Sequence, residues 1–237
     1  MNLLALHASV NKSPLVNDAK GAFIPQAQVF AKIHTAAGHT VTRVPFANDL
    51  LPAARKKAFY DAIRAAKGLD GFAYFGHGLR TSLPSAGLQL SDIPELAKLL
   101  AAATNPDTRT LRIALYACSA AASPLRVVVR TDDEGVYGGE GSGDGGFADL
   151  LRDALAQLKI KGHVDAHINA GHTTTNPYVK RFVSDGEHTG VGGEWLVSPK
   201  DAKLFKAFRK KLTDDRTFRM NFTFMEADAV RAALVGG

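Results

Sequence analysis

The sequence predicts an α/β protein of three layers, with a mostly parallel central sheet covered by helices on both faces, built as one domain over residues 1–237. Three observations lead there. Short apolar runs alternate with segments whose apolar residues recur at helical spacing, the pattern of linked βαβ units. The run TLRIALYACSA at 110–120 has no polar alternation in its centre, as suits a strand covered on both sides. The chain is long enough to bury one sizeable core, and it carries no internal repeat and no linker between globular units.

The elements follow in order. LLALHASV (3–10) is the first strand, and QAQVFAKIHTAAG (26–38) is a helix closed by glycine. HTVTRVPF (39–46) is β-rich, and PAARKKAFYDAIRAAKG (52–68) is a helix with proline near its start and glycine past its end. LDGFAYFGHG (69–78) is the third strand. SDIPELAKLLAAAT (91–104) is a helix with Ser91 as its expected N-cap, and 110–120 is the fourth strand. Beyond it, RVVVRTDDEGVYGG (126–139) reads as a small hairpin about the turn DDEG, and EGSGDGG (140–146) is flexible by composition. Asp144 is the expected cap of the helix at 147–159. GHVDAHINAG (162–171) is a fifth strand and GEWLVSP (193–199) a weaker sixth, before helices at 200–212 and 226–235.

Composition excludes several classes of function. Hydrophobic residues at 46% and charged residues at 22% are ordinary for a globular chain, so disorder is not the reading. A single cysteine makes neither an internal disulfide nor a multi-thiolate zinc site, and it fits a reducing compartment. With no basic region ahead of its first apolar stretch and no membrane-length apolar segment, the chain reads as soluble, unexported and cytoplasmic. The net charge of +6 is spread out, apart from RKK at 55–57 and KAFRKKL at 206–212. No helix-turn-helix, zinc-finger or aromatic RNA-binding signature accompanies these clusters, so they read as solvated helix faces and no nucleic-acid partner is expected. No GxSxG elbow and no phosphate-cradling GxxxxGK motif is present, and no cofactor is expected. His163, His167 and His172 alternate around the fifth strand, but without the spacing of a zinc-protease helix; structural or substrate-lining roles are expected, and no metal.

Two strands end in reactive side chains. The third delivers His77 in YFGHG and the fourth delivers Cys118 in YACSA. In an open parallel sheet, functional groups collect beyond the carboxyl ends of the strands, where loops leave room for a ligand. One crossover helix joins these two strands, which makes them neighbours in the sheet and puts thiol and imidazole in one crevice. That pairing suits nucleophilic catalysis, because the thiolate attacks and the imidazole stabilises it or carries its proton. Gly78 lets the backbone approach a substrate and offers an amide, with that of Cys118, to an oxyanion site.

An apolar strand ending in His-Gly, a helix, and an apolar strand ending in Ala-Cys resemble the caspase-like cysteine peptidases, which include caspases, metacaspases, gingipains, clostripain, legumain, separase and CHAT domains. GFAYFGHG and RIALYACSA match the two motif blocks in order and spacing, over roughly residues 1–171. The resemblance implies a caspase-like α/β/α fold and hydrolysis of peptide bonds by a Cys-His dyad, with a protein or peptide as substrate. Carried over by position, His77 is the general acid/base, Cys118 the nucleophile, and Gly78 part of the oxyanion hole. Caspases have glutamine two residues before the nucleophile and glycine two after; here Tyr116 and Ala120 stand there, so aspartate specificity is not implied. Metacaspases carry an acidic residue just before the nucleophile, and here it is Ala117.

Substrate-lining residues are expected from neighbouring strand ends: Tyr116, the loop after the first strand near His7 and Ser9, and His172 within AGHTTTN. The segment 124–146 is longer than most strand-to-helix loops, which points either to a lid or self-processing site, with Arg126 or Arg130 as candidate cleavage points, or to a small hairpin that walls the crevice. The alternative class is a catalytically inactive caspase-like or flavodoxin-like binding module, in which Cys118 is a small buried hydrophobe and His77 a loop histidine. Nothing in the sequence specifies an oligomeric state.

Overall fold

β1 (Asn2–Ala8) carries the apolar run LLALHA one strand in from the edge of the central sheet, and all its residues after Asn2 are buried. The computed structural model describes residues 1–9, 23–124, 128–131, 135–138, 143–169, 174–187, 190 and 192–235. β1 leads to α1 (Phe23–Ala36), β2 (Thr40–Phe46), α2 (Pro52–Ala65) and β3 (Gly71–Phe75). A short hairpin, β4 (Ser82–Leu83) and β5 (Leu88–Gln89), follows, with a 3-10 turn at Pro84–Ala86 between its strands and another at Leu90–Asp92 after it. Next come α3 (Ile93–Ala103) and β6 (Thr110–Tyr116), then a second hairpin of β7 (Val128–Thr131) and β8 (Gly135–Gly138). The chain ends with α4 (Phe147–Gln157), β9 (Lys161–His167), β10 (Val179–Ser184), β11 (Glu194–Trp195), α5 (Ala202–Asp214), α6 (Arg216–Asn221), a 3-10 turn at Phe222–Phe224 and α7 (Ala227–Val235).

The central sheet has seven strands in the order β11-β10-β9-β6-β3-β1-β2. β2, β1, β3, β6 and β9 run parallel; at one edge β10 pairs antiparallel with β9, and β11 antiparallel with β10. Successive strand residues point to opposite faces, and the aromatic contacts trace the two outer layers. Phe75 meets Phe30 of α1, which also meets Phe224, so α1 and the C-terminal helices cover one face. Its neighbour Tyr74 meets Phe59 of α2, and α2, α3 and α4 cover the other. The fold is therefore three-layer α/β with a mostly parallel sheet, as the sequence predicts.

Several local expectations are corrected. Ser91 does not cap α3: Asp92 precedes the helix and accepts the Gln89 N–H at 2.9 Å, a capping box around the preceding 3-10 turn. Asp144 does not cap α4 either. Gly146 is the N-cap, and the Asp149 carboxylate inside the first turn accepts the Gly145 N–H at 2.9 Å. The expected sixth strand shrinks to Glu194–Trp195, and a strand not expected from the sequence, β10, is VKRFVS, whose cationic and polar side chains interrupt its apolar pattern. Two of those are buried at specific partners: Lys180 donates to the Gly193 carbonyl at 3.0 Å, and Arg181 forms a bidentate pair with Asp165 at 2.8 and 2.7 Å. The hairpin expected at 126–139 is present as β7 and β8, while its turn at 132–134 and Arg126 lie outside the described residues.

The basic clusters lie on helices whose charges are partly paired. In α2, Lys56 pairs with Asp92 and Lys57 with Asp61, and in α5 Lys210 pairs with Asp214. At the β2 edge of the sheet Thr40, Thr42, Arg43 and Pro45 are exposed, and at the opposite edge β11 is only two residues long. A second buried ion pair lies in α4, where Arg152 contacts Asp149, reaches Asp153 at 2.6 Å and donates to the Gly190 carbonyl at 2.6 Å.

His34 of α1 is fully buried between Phe30 and Phe224 and donates from Nε2 to the Met220 carbonyl at 2.9 Å. Burial pulls its pKa down to about 4; the neighbouring His39 and the N-terminal ammonium add repulsion against a positive ring. A folded-state pKa below the ordinary value gives stability that is complete above about pH 6.5 and is lost as pH falls toward 4. His34 is expected to cost about 2 kcal/mol of stability by pH 5. His7 and His163, likewise lowered mainly by burial, act in the same direction. Urea unfolding at pH 7 and pH 5 checks this: His34→Leu is expected to show a smaller loss between the two than the parent.

Candidate active site

The site grows out of the parallel pairing of β3 and β6. Phe75 stands in register with Tyr116, and their rings stack with centroids 4.7 Å apart. The ladder continues one residue past the strand, since the Gly76 N–H still donates to the Tyr116 carbonyl at 3.4 Å. His77 and Cys118 each follow their registered residue by two positions, so both emerge at the carboxyl edge of adjacent strands. Both are half-buried, placed between core and solvent. The strand order reverses beside this pair, between β1, which connects outward to β2, and β3 on its other side. Such a reversal leaves a crevice between diverging loops.

The two loops touch through Gly78. A Cβ there would lie 2.6 Å from the Ala117 Cβ and 2.7 Å from the Cys118 carbonyl oxygen, closer than a real side chain comes. Glycine is thus required for the histidine loop to lie on the backbone of the cysteine. Gly78→Ala is expected to push the two loops apart and slow alkylation of Cys118 by iodoacetamide at pH 7, a rate read by intact mass.

Immediately after the thiol, Ser119 adopts a left-handed backbone with φ of 53°. A non-glycine residue pays roughly 1–3 kcal/mol for such a conformation, and residues held this way concentrate at functional sites. Hydrogen bonds hold the turn in place. The Ser119 N–H donates to the Asn169 carbonyl at 2.9 Å and the Ala121 N–H to the His167 carbonyl at 3.0 Å, which fixes the turn to the end of β9. The Ala148 N–H of α4 donates to the Ala120 carbonyl, and the Phe147 N–H to the Arg80 carbonyl in the histidine loop. Arg80 itself reaches the Ser123 carbonyl at 3.3 Å. The histidine loop, the cysteine turn and the start of α4 are therefore one connected structure.

His77 is held from beneath. The edge of its ring meets Phe23 with centroids 4.9 Å apart. Its backbone N–H donates to the Ser85 hydroxyl at 2.9 Å, and its carbonyl accepts from the Tyr74 hydroxyl at 2.9 Å. Neither Tyr74 nor Ser85 stands out in the sequence. Ser85 lies in a proline-containing turn eight residues from the histidine, and Tyr74 reads as one more apolar strand residue.

The expected substrate-lining residues fare differently. Tyr116 is corrected: it is 1% exposed, stacks on Phe75, and its hydroxyl lies 3.2 Å from that of Thr223. It is part of the core beneath the sheet edge and lines no open crevice. Burial raises its pKa, as it does for Tyr74. His172 lies outside the described residues. His7 is 2% exposed, with Nδ1 3.0 Å from the Ala8 carbonyl and Nε2 3.0 Å from Arg43, so it is an internal strut of the edge. His163 is buried against the Thr223 carbonyl at 2.7 Å, a structural role. Among the described residues no three of His, Cys, Asp and Glu converge as a metal-binding group, and no helix is long and apolar enough to cross a membrane.

Compared with known proteins, the chain matches no family model, no curated protein and no solved structure.

Proposed function

We propose that the chain is a cysteine-type peptidase of the caspase-like kind, cleaving peptide bonds with Cys118 as nucleophile and His77 as general acid/base. The observation that supports this reading is the register of β3 and β6: it sets imidazole and thiol on adjacent strand ends, with Gly78 pressed against the Cys118 backbone. The Cys118 thiolate attacks the substrate carbonyl carbon. The C–N bond then breaks while the His77 imidazolium gives its proton to the leaving amine. Water, losing a proton to His77, hydrolyses the thioester to a carboxylic acid, and the thiol is restored. The backbone amides of Gly78 and Cys118 are the proposed donors to the tetrahedral oxyanion. A single cysteine suits a reducing setting such as the cytoplasm, where the thiol stays available.

The experiment is cleavage of a proteome-derived peptide library, read by mass spectrometry. Products that form with the parent and vanish with folded Cys118→Ala support the reading. A parent that cleaves nothing and whose thiol reacts like a free cysteine points instead to a binding module.

A further inference from the structure

The turn that carries His77 is anchored at that residue's own backbone. Its backbone N–H and carbonyl are both taken by side chains, Ser85 and Tyr74, at 2.9 Å each. Both side chains thus close on the same residue, one at its N–H and the other at its carbonyl. Tyr74 and Ser85 are 0% and 2% exposed, so water does not replace these bonds.

The surroundings are shaped for this arrangement. Gly76 lies where the Tyr74 side chain curls back under the turn. A Cβ there would run into the Tyr74 hydroxyl, lie 2.6 Å from its Cζ and 3.2 Å from the Ser85 Cβ. The 3-10 turn bearing Ser85 is fastened in turn to α2. Arg55 donates to the Pro84 carbonyl at 2.9 Å, and Gly87, with φ of 70°, packs directly on the Pro52 carbonyl. The second glycine of the GHG motif seats the turn on Cys118, and the first admits the tyrosine.

From this geometry we infer that Tyr74 and Ser85 are positioning residues, a hydroxyl clamp that sets the His77 imidazole against the Cys118 thiol. The inference rests on the dyad proposed above and adds to it the part that orients the base. Packing holds Phe23 against one edge of the ring, while the clamp fixes the backbone from which the ring projects. Small errors in such a placement are costly, because proton transfer demands hydrogen-bond reach.

The test needs no known substrate. The rate of Cys118 alkylation by iodoacetamide is measured from pH 5 to pH 9 in the parent, His77→Ala, Tyr74→Phe and Ser85→Ala, with circular dichroism on each. In the parent, alkylation at pH 7 is expected to be faster than in His77→Ala. Tyr74→Phe and Ser85→Ala are expected to keep the fold, slow alkylation about tenfold at pH 7, and move the profile toward that of His77→Ala. Folded variants with the parental profile overturn the clamp and leave the dyad standing. A parent profile already identical to His77→Ala overturns both. On the unaltered protein, the His77 amide is expected to exchange with deuterium as slowly as those of β3; exchange at the rate of an open loop also overturns the clamp.

Discussion

Cys118→Ala is expected to abolish peptide cleavage, by at least about 10³-fold in turnover, with the circular dichroism spectrum and melting temperature close to those of the parent. The size of the effect follows from the chemistry, because removal of a nucleophile leaves only binding and oxyanion contacts to accelerate the reaction. The fold should tolerate the change, since the side chain is half-buried and loses only its sulfur. His77→Ala is expected to fall comparably, and the double variant little further, because the two groups act as a unit. Turnover and spectrum are measured on the same preparation. A folded Cys118→Ala protein that cleaves as fast as the parent removes the nucleophile assignment.

The second large effect is on stability. Arg181→Met is expected to cost about 3–5 kcal/mol, because it strands the Asp165 carboxylate in the sheet. Asp165 has no exposed side-chain surface, and Arg181 stands directly opposite it on β10, closing both carboxylate oxygens. The third guanidinium nitrogen donates to the Met225 carbonyl at 2.7 Å, so the same substitution also loosens the segment leading to α7. At roughly 2–4 °C per kcal/mol for a chain of this size, the melting temperature is expected to fall by about 6–20 °C. The double variant Asp165→Leu with Arg181→Met should recover most of the loss, because it removes the uncompensated charge. Thermal melts of the three proteins check both statements; a single variant as stable as the parent contradicts them.

The inner parallel strands were legible in the sequence because they are buried on both faces and so appear as largely apolar runs. LLALHA, GFAYF and TLRIALY are examples, and the helices between them carry ordinary start and stop signals. The adjacency of β3 and β6 followed from the single crossover helix, and with it the juxtaposition of His77 and Cys118. β10 was hidden because its core-facing charges are satisfied by partners far along the chain, a fact no local pattern carries. Tyr116 was misplaced for a related reason. Its position at a strand end suggested the crevice, but alternation of side chains sends it under the sheet to stack on Phe75. The clamp of Tyr74 and Ser85 was invisible because its hydrogen bonds run through the backbone of the histidine turn.

The two margins of the sheet bear on how the protein behaves when concentrated. An unpaired strand edge is a template on which another chain can add, and natural sheets resist this with charge, proline or brevity. Here β2 presents Arg43 and Pro45, a charge and a residue with no N–H to offer, while β11 offers two residues in all. An incoming strand would lose a hydrogen bond at the first margin and run out of ladder at the second. Growth of the sheet from copy to copy, whether as an ordered dimer or as a fibril, is therefore disfavoured at both ends by the chain's own chemistry.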